Sequence, residues 1–197
     1  MDERWAAVEA IASRTLAPRN GSERPRYALD RALRIVRAID RLQPTAGEPV
    51  PRADLTRIAA LYAVIAHLNA PPLGKPADDQ PFNDAAELAA DQLKDLLSPD
   101  ELDIVSTILR EHRRRDTPMP EARLLADAIN LEEFGLIGLW NQMRQFHAAN
   151  KCPEQLLKLW KAQHDYGYWD SRLRDGFHYP AARDAYLQES GRYIPII

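Results

Sequence analysis

Residues 56–70, TRIAALYAVIAHLNA, are apolar on nearly every face of a helix, and this stretch constrains the fold more than any other. An amphipathic helix needs cover on one side only. A helix without a polar face needs neighbours all round, so this one is expected at the centre of a helical bundle. It is shorter than the roughly 20 residues that a membrane crossing requires, and the loops beside it suit a globular core.

The rest of the chain supplies the neighbours. Apolar residues recur at helical spacing almost throughout, and no stretch alternates β-branched or aromatic residues between turn dipeptides. The expectation is an all-α, single-domain helical bundle over residues 1–197. Helices are expected at roughly 3–15, 25–43, 52–69, 83–97, 99–115, 119–128, 130–149, 153–175 and 180–190. Core stripes are read at Leu33, Ile35, Val36 and Ile39, at Ile58, Leu61, Tyr62, Ile65 and Leu68, and at Ile104, Val105, Ile108 and Leu109. The best-specified start is Ser98-Pro99-Asp100-Glu101, where Ser98 can cap, Pro99 fits the first turn and Glu101 completes a capping box. The Pro-rich stretches QPTAGEPVP and NAPPLGKPADDQP read as surface loops.

Composition excludes several classes. With 26 basic and 29 acidic side chains the net charge is −3, so no general affinity for nucleic acid or an anionic membrane is expected. Cys152 is the only cysteine, which rules out an intrachain disulfide and a Cys-based zinc site within one chain. The opening MDERWAAVEAIASR mixes both charge signs and lacks the apolar block of a signal peptide or membrane span, so a cytoplasmic protein is expected. The chain has no phosphate-cradling glycine loop, no His-Glu-x-x-His pair and no nucleophile elbow. Cys152 and His147 fall around a helix end and need not face each other, so they make a weak nucleophilic pair.

The segment STILREHRRRDTPMPEARLLADAINLEEFGLIGL combines a helix ending Ile108-x-x-x-His112, a Pro-broken turn, and a patterned run. The run carries Glu121, Ala122, Leu124, Leu125, Asp127, Ala128, Leu131, Gly135, Ile137 and Gly138. In this it resembles the second half of HD-domain proteins of the small bacterial phosphohydrolase-like type. ALRIVRAIDRL resembles that family's first helix, NDAAELAADQLKDLL its Ala-Ala-Glu helix, and YWDSRLRDGFHYPAARDAYL its C-terminal region, so the resemblance runs from about residue 25 to about residue 190.

The resemblance implies an HD-type bundle in which a His on the first helix, a His-Asp pair on the central helix and a late Asp hold a divalent metal. Such a cation polarises a phosphoryl oxygen and supplies hydroxide near neutral pH. Carried onto this chain, the first His position is Arg31. The His-Asp pair falls on Ala66-His67 or on His67-Leu68, and the late metal-binding Asp falls on Ile129, with Asp127 matching the family's non-ligand Asp. Arg, Ala, Leu and Ile are not first-shell donors, so loss of the metal site and of hydrolysis is expected.

Arg31, His67, His112 and Asp127 are left as candidates for a residual pocket. His67 is either a surviving ligand or a core histidine. His112 is either a phosphate contact or, with Arg113, Arg114 and Arg115, a basic answer to a helix C-terminus. Asp127 could bond inside the former pocket or cap a helix. Arg31 could pair with Asp127 or bind an anion where the cation sat.

The C-terminal aromatics Trp160, Tyr166, Tyr168, Trp169, Phe177, Tyr179, Tyr186 and Tyr193 could form a partner surface or a base-stacking platform, or simply pack on the bundle. The expected function is binding of a small anionic ligand or a protein partner by a catalytically degenerate HD-like protein without a cofactor, with a homodimer allowed. The alternative is a divergent phosphohydrolase with a rearranged divalent-metal site.

Overall fold

A computed structural model describes residues 3–16, 25–46, 49–69, 79–133, 135–148 and 150–190. These residues form α-helices with one short 3-10 turn, and no strand is found among them. Contacts divide the chain into two compact units, Met1–Ala126 and Asp127–Ile197.

The first unit is assembled on the apolar helix. Its elements are α1 (Glu3–Leu16), α2 (Pro25–Leu42), the 3-10 turn Gln43–Thr45, α3 (Ala53–Asn69), α4 (Gln80–Leu93), α5 (Pro99–Glu111) and the first part of α6 (Pro120–Glu133). Helix α3 packs against α1, α2, α4 and α5, as its lack of a polar face demands. Ala59, Ala60, Ala63 and Ala66 are fully buried along it, and such small side chains let neighbouring helices come close. Its one aromatic, Tyr62, is also fully buried, and its hydroxyl donates to Gln92 Oε1 at 2.9 Å. Gln92 in turn donates to Thr15 Oγ1 at 3.0 Å, so a polar chain links α3, α4 and α1 and leaves the buried hydroxyl satisfied.

Of the expected core positions, Ile35, Val36, Ile39, Ile58, Leu61, Tyr62, Ile65, Val105, Ile108 and Leu109 are buried. Leu33, Leu68 and Ile104 are only half-buried because they stand at the edges of their stripes.

Helix α5 starts where its sequence says it must. Ser98 Oγ accepts from the Glu101 N–H at 3.3 Å, and Glu101 Oε2 accepts from the Ser98 N–H at 2.9 Å. Those bonds, with Arg4 donating to Glu101 Oε1 at 2.7 Å, hold the Glu101 carboxyl down at about 2. Ser98→Ala is expected to cost about 1 kcal/mol, read from the midpoint of a urea melt. The helix ends at Glu111, short of the expected residue 115, because His112 already stands as its C-cap. Helix α4 begins at Gln80, earlier than residue 83, with Pro81 in the first turn, where its missing N–H costs nothing.

The second unit contains the end of α6, then α7 (Gly135–Ala148), α8 (Pro153–Asp165), α9 (Tyr168–Asp175) and α10 (Pro180–Ser190). Two expected boundaries move. Helix α6 runs to Glu133 and does not stop near residue 128, since ADAINLEE contains neither Gly nor Pro to end it. The single helix expected over 153–175 is broken at Gly167, whose φ of 68° places it in the left-handed region that glycine tolerates. At Gly138 a Cβ would lie 1.7 Å from the Glu133 carbonyl oxygen, so only glycine fits that approach.

One face of α6 then grips the segment that follows it. Asp127, Asn130 and Glu133 stand three residues apart, a spacing that aligns side chains on a helix. Asp127 accepts from the N–H groups of His178 and Tyr179 at 2.8 to 3.1 Å. Asn130 donates to the Gly176 carbonyl at 2.6 Å. Arg172 of α9 donates to Asn130 Oδ1, to Glu133 Oε2 at 3.0 Å and to the Tyr168 hydroxyl at 3.0 Å.

The aromatics of this unit divide by role. Trp160 donates to Gln142 Oε1 at 2.6 Å, and the Phe177 and Tyr186 rings pack 5.6 Å apart. Tyr166 is 66% exposed. The side chain of Trp169, Tyr193 and the closing YIPII lie outside the described residues. Among the described residues no helix is long and apolar enough to cross a membrane.

Candidate functional site

Three helix ends of the first unit bring three rings together. His67 lies in the last turn of α3, Phe82 in the first turn of α4, and His112 is the C-cap of α5. The His67 and Phe82 centroids are 5.2 Å apart, those of Phe82 and His112 5.2 Å, and those of His67 and His112 6.2 Å, all edge to face. Ala66 and Ala85 add apolar wall beside Phe82.

The lengths of α3 and α5 create this meeting. The Ser98 box fixes the start of α5, and its 13 residues carry the chain to His112 at the other end. There the backbone N–H of His112 donates to the Ile108 carbonyl at 3.0 Å, while ring Nδ1 lies 3.0 Å from the Leu109 carbonyl. A carbonyl oxygen only accepts, so Nδ1 carries the proton and Nε2 presents a lone pair.

That lone pair has no partner. The Nε2 atoms of both His67 and His112 are buried without a hydrogen bond. His67 is half-buried as a residue, but its Nε2 is shut off from solvent. Buried polar nitrogens are almost always satisfied, so two orphans on neighbouring rings single this place out.

Charge around the pair is positive. Burial, then the charges of Arg31, His112 and Arg113, push the His67 ring well below its ordinary range. Burial pushes His112 down to about 4, with Arg113 acting in the same sense against the pull of the Leu109 and Ile108 carbonyls. Both imidazoles are therefore neutral near pH 7. Arg31 is buried on α2. Arg113 lies 4.7 Å over the Phe82 ring and donates to Asp79 at 2.8 Å.

A family-type metal does not fit these residues. The position expected for the first ligand is a guanidinium, Ala66 is fully buried, Leu68 is an aliphatic side chain, and the positive surroundings oppose a further cation. No group of three or more His, Cys, Asp or Glu side chains among the described residues could hold a metal ion.

Arg31, His67 and His112 thus belong to one unit and act on one another, whereas Asp127 and Ile129 belong to the other. There Ile129 is a core residue, 6% exposed. Asp127 sits inside α6, not at a helix boundary, and holds the backbone entering α10. Burial raises its carboxyl to about 7, while the two N–H donors pull the other way.

Sequence reasoning missed Phe82, and it read Arg113 only as part of a basic answer to a helix C-terminus. The available signal was Pro81, which marks a first helical turn and would have moved Phe82 out of the loop and onto α4. Compared with known proteins, the chain matches no family model, no curated protein and no solved structure.

Proposed function

We propose that this protein is a catalytically degenerate HD-like protein that works by binding a small anionic ligand at the His67–His112 pair. The observation that carries this reading is the pair of buried, unpartnered Nε2 atoms under the positive charge of Arg31 and Arg113. A polar site that repels a cation and lacks a third donor is suited to an anion. The joint loss of donors at Arg31, at Ala66 or Leu68, and at Ile129 supports binding without turnover. A protein partner or a homodimer falls within the same reading.

The experiment is an activity and binding screen on the whole chain. Protein supplied with Mn, Fe, Ni or Zn is expected to release no phosphate from p-nitrophenyl phosphate or nucleoside monophosphates, and to bind sulfate in calorimetry. Metal-stimulated turnover that disappears in both His67→Ala and His112→Ala would establish the opposite, a divergent phosphohydrolase with a rearranged site.

A further inference from the structure

We propose that the first unit carries a separate binding site between α1 and α4, which takes a small aliphatic carboxylate with Arg14 as its charged anchor. The proposal goes beyond the reading of the His67–His112 pair and does not depend on it.

The site follows from how the helices pack. Helices α1 and α4 both lie against α3 and make little direct contact with each other, so space remains between them. It is an open depression of about 420 Å³ lined by Ile11, Arg14, Thr15 and Gln92. Small-molecule sites offer room of that order. Ile11, Arg14 and Thr15 stand three and four residues apart and share one face of α1. Gln92 comes from the last turn of α4, at the opposite end of that helix from Phe82.

The core fixes which atoms the depression presents. The buried Tyr62 hydroxyl donates to Gln92 Oε1 at 2.9 Å, which sets the amide so that Nε2 faces Thr15 Oγ1 at 3.0 Å. One N–H of that amide is spent there, and the other has no acceptor among the described residues. The Thr15 hydroxyl hydrogen is spent within the protein, on the Ile11 carbonyl or on Gln92 Oε1, each at 3.2 Å.

Arg14 adds the charge. Its side chain is exposed, and among the described residues no carboxylate or carbonyl holds its guanidinium. Asp91, the acid next to Gln92 in sequence, is engaged by Lys94 at 3.1 Å, and no acidic side chain lines the depression. What remains on offer is a guanidinium fork and one amide N–H beside an aliphatic wall. A carboxylate answers the fork with two coplanar acceptors, and its hydrocarbon tail covers Ile11. Phosphate also suits a guanidinium but has no apolar part to set against Ile11, so the ligand class is an aliphatic acid.

Butyrate is the probe, followed on the whole chain by proton and nitrogen correlation spectra. The Gln92 side-chain amide and the Arg14 Nε–H are expected to shift saturably, and the butyrate methyl to show a nuclear Overhauser effect to Ile11. Butyramide, which has the same shape without the charge, should give no saturable shift. Arg14→Gln, a change at an exposed position, is expected to weaken butyrate by about tenfold or more, the loss of one charge-assisted contact. His112→Gln should bind butyrate as the unaltered protein does.

No saturable shift at Gln92, or an affinity retained in Arg14→Gln, would overturn the proposal. Inorganic phosphate binding there as tightly as butyrate would overturn the assignment to a carboxylate. Sulfate at the His67–His112 pair is scored on other residues, so either site can fail while the other stands.

Discussion

Between pH 6.5 and pH 4 the first unit is expected to lose about 3 kcal/mol of stability through His112 alone. In the unfolded chain this imidazole takes up a proton below its ordinary value of 6.5. In the folded unit burial holds it neutral down to about 4. A folded value depressed below the unfolded one means that the contribution is fully present above pH 6.5. It is lost as pH falls toward 4, because acid favours the state that binds the proton more readily. His67, shifted in the same direction by burial and by Arg31, adds to the fall.

Hydrogen exchange at the amides of α3 and α5 reads this directly, since it reports the opening of that unit without requiring the whole chain to unfold together. The His112→Gln protein should show a flatter dependence, by about 3 kcal/mol over the same interval. Equal slopes in the two proteins would remove His112 as the acid-sensitive group.

The second unit should respond in the opposite sense. Burial raises the Asp127 carboxyl from 3.8 to about 7 in the folded unit, so its contribution is fully present below pH 3.8 and is lost as pH rises through 7. The full change is about 4 kcal/mol. Asp127→Ala removes that dependence and also leaves the N–H groups of His178 and Tyr179 without their acceptor, at roughly 1–3 kcal/mol for each donor left buried. At pH 5 the variant is expected to open the 168–179 segment more easily by about 2–6 kcal/mol, seen as faster amide exchange at residues 178 and 179. Unchanged exchange at those two amides would show that the Asp127 carboxyl group does not hold them.

How much of this was legible in the sequence depended on the range of the interaction. The all-α class followed from periodicity, and the central place of α3 followed from its missing polar face, because both are properties of a single segment. The capping box at Ser98 was equally local, and it formed. The helix break at Gly167 was missed even though a glycine stood in HDYGYW, because nothing local tells a tolerated glycine from one that must adopt a left-handed conformation.

The candidate site was half legible. His67 and His112 were singled out through the resemblance to HD-domain proteins, but Phe82 joined them only through the packing of α4 against α3 and α5, a contact that no local pattern reports. The role of Asp127 lay further out of reach. Its partners are backbone groups 51 and 52 residues away.

The stripe of Asp127, Asn130 and Glu133 makes α6 a ruler as well as a support. Each of these residues finds its partner only because the helix turns about 100° per residue, so inserting or deleting one residue between them would rotate part of the grip away from the 168–179 segment. Spacing here is under tighter constraint than identity at the position between, where Ile129 needs only to be apolar and to fit the core.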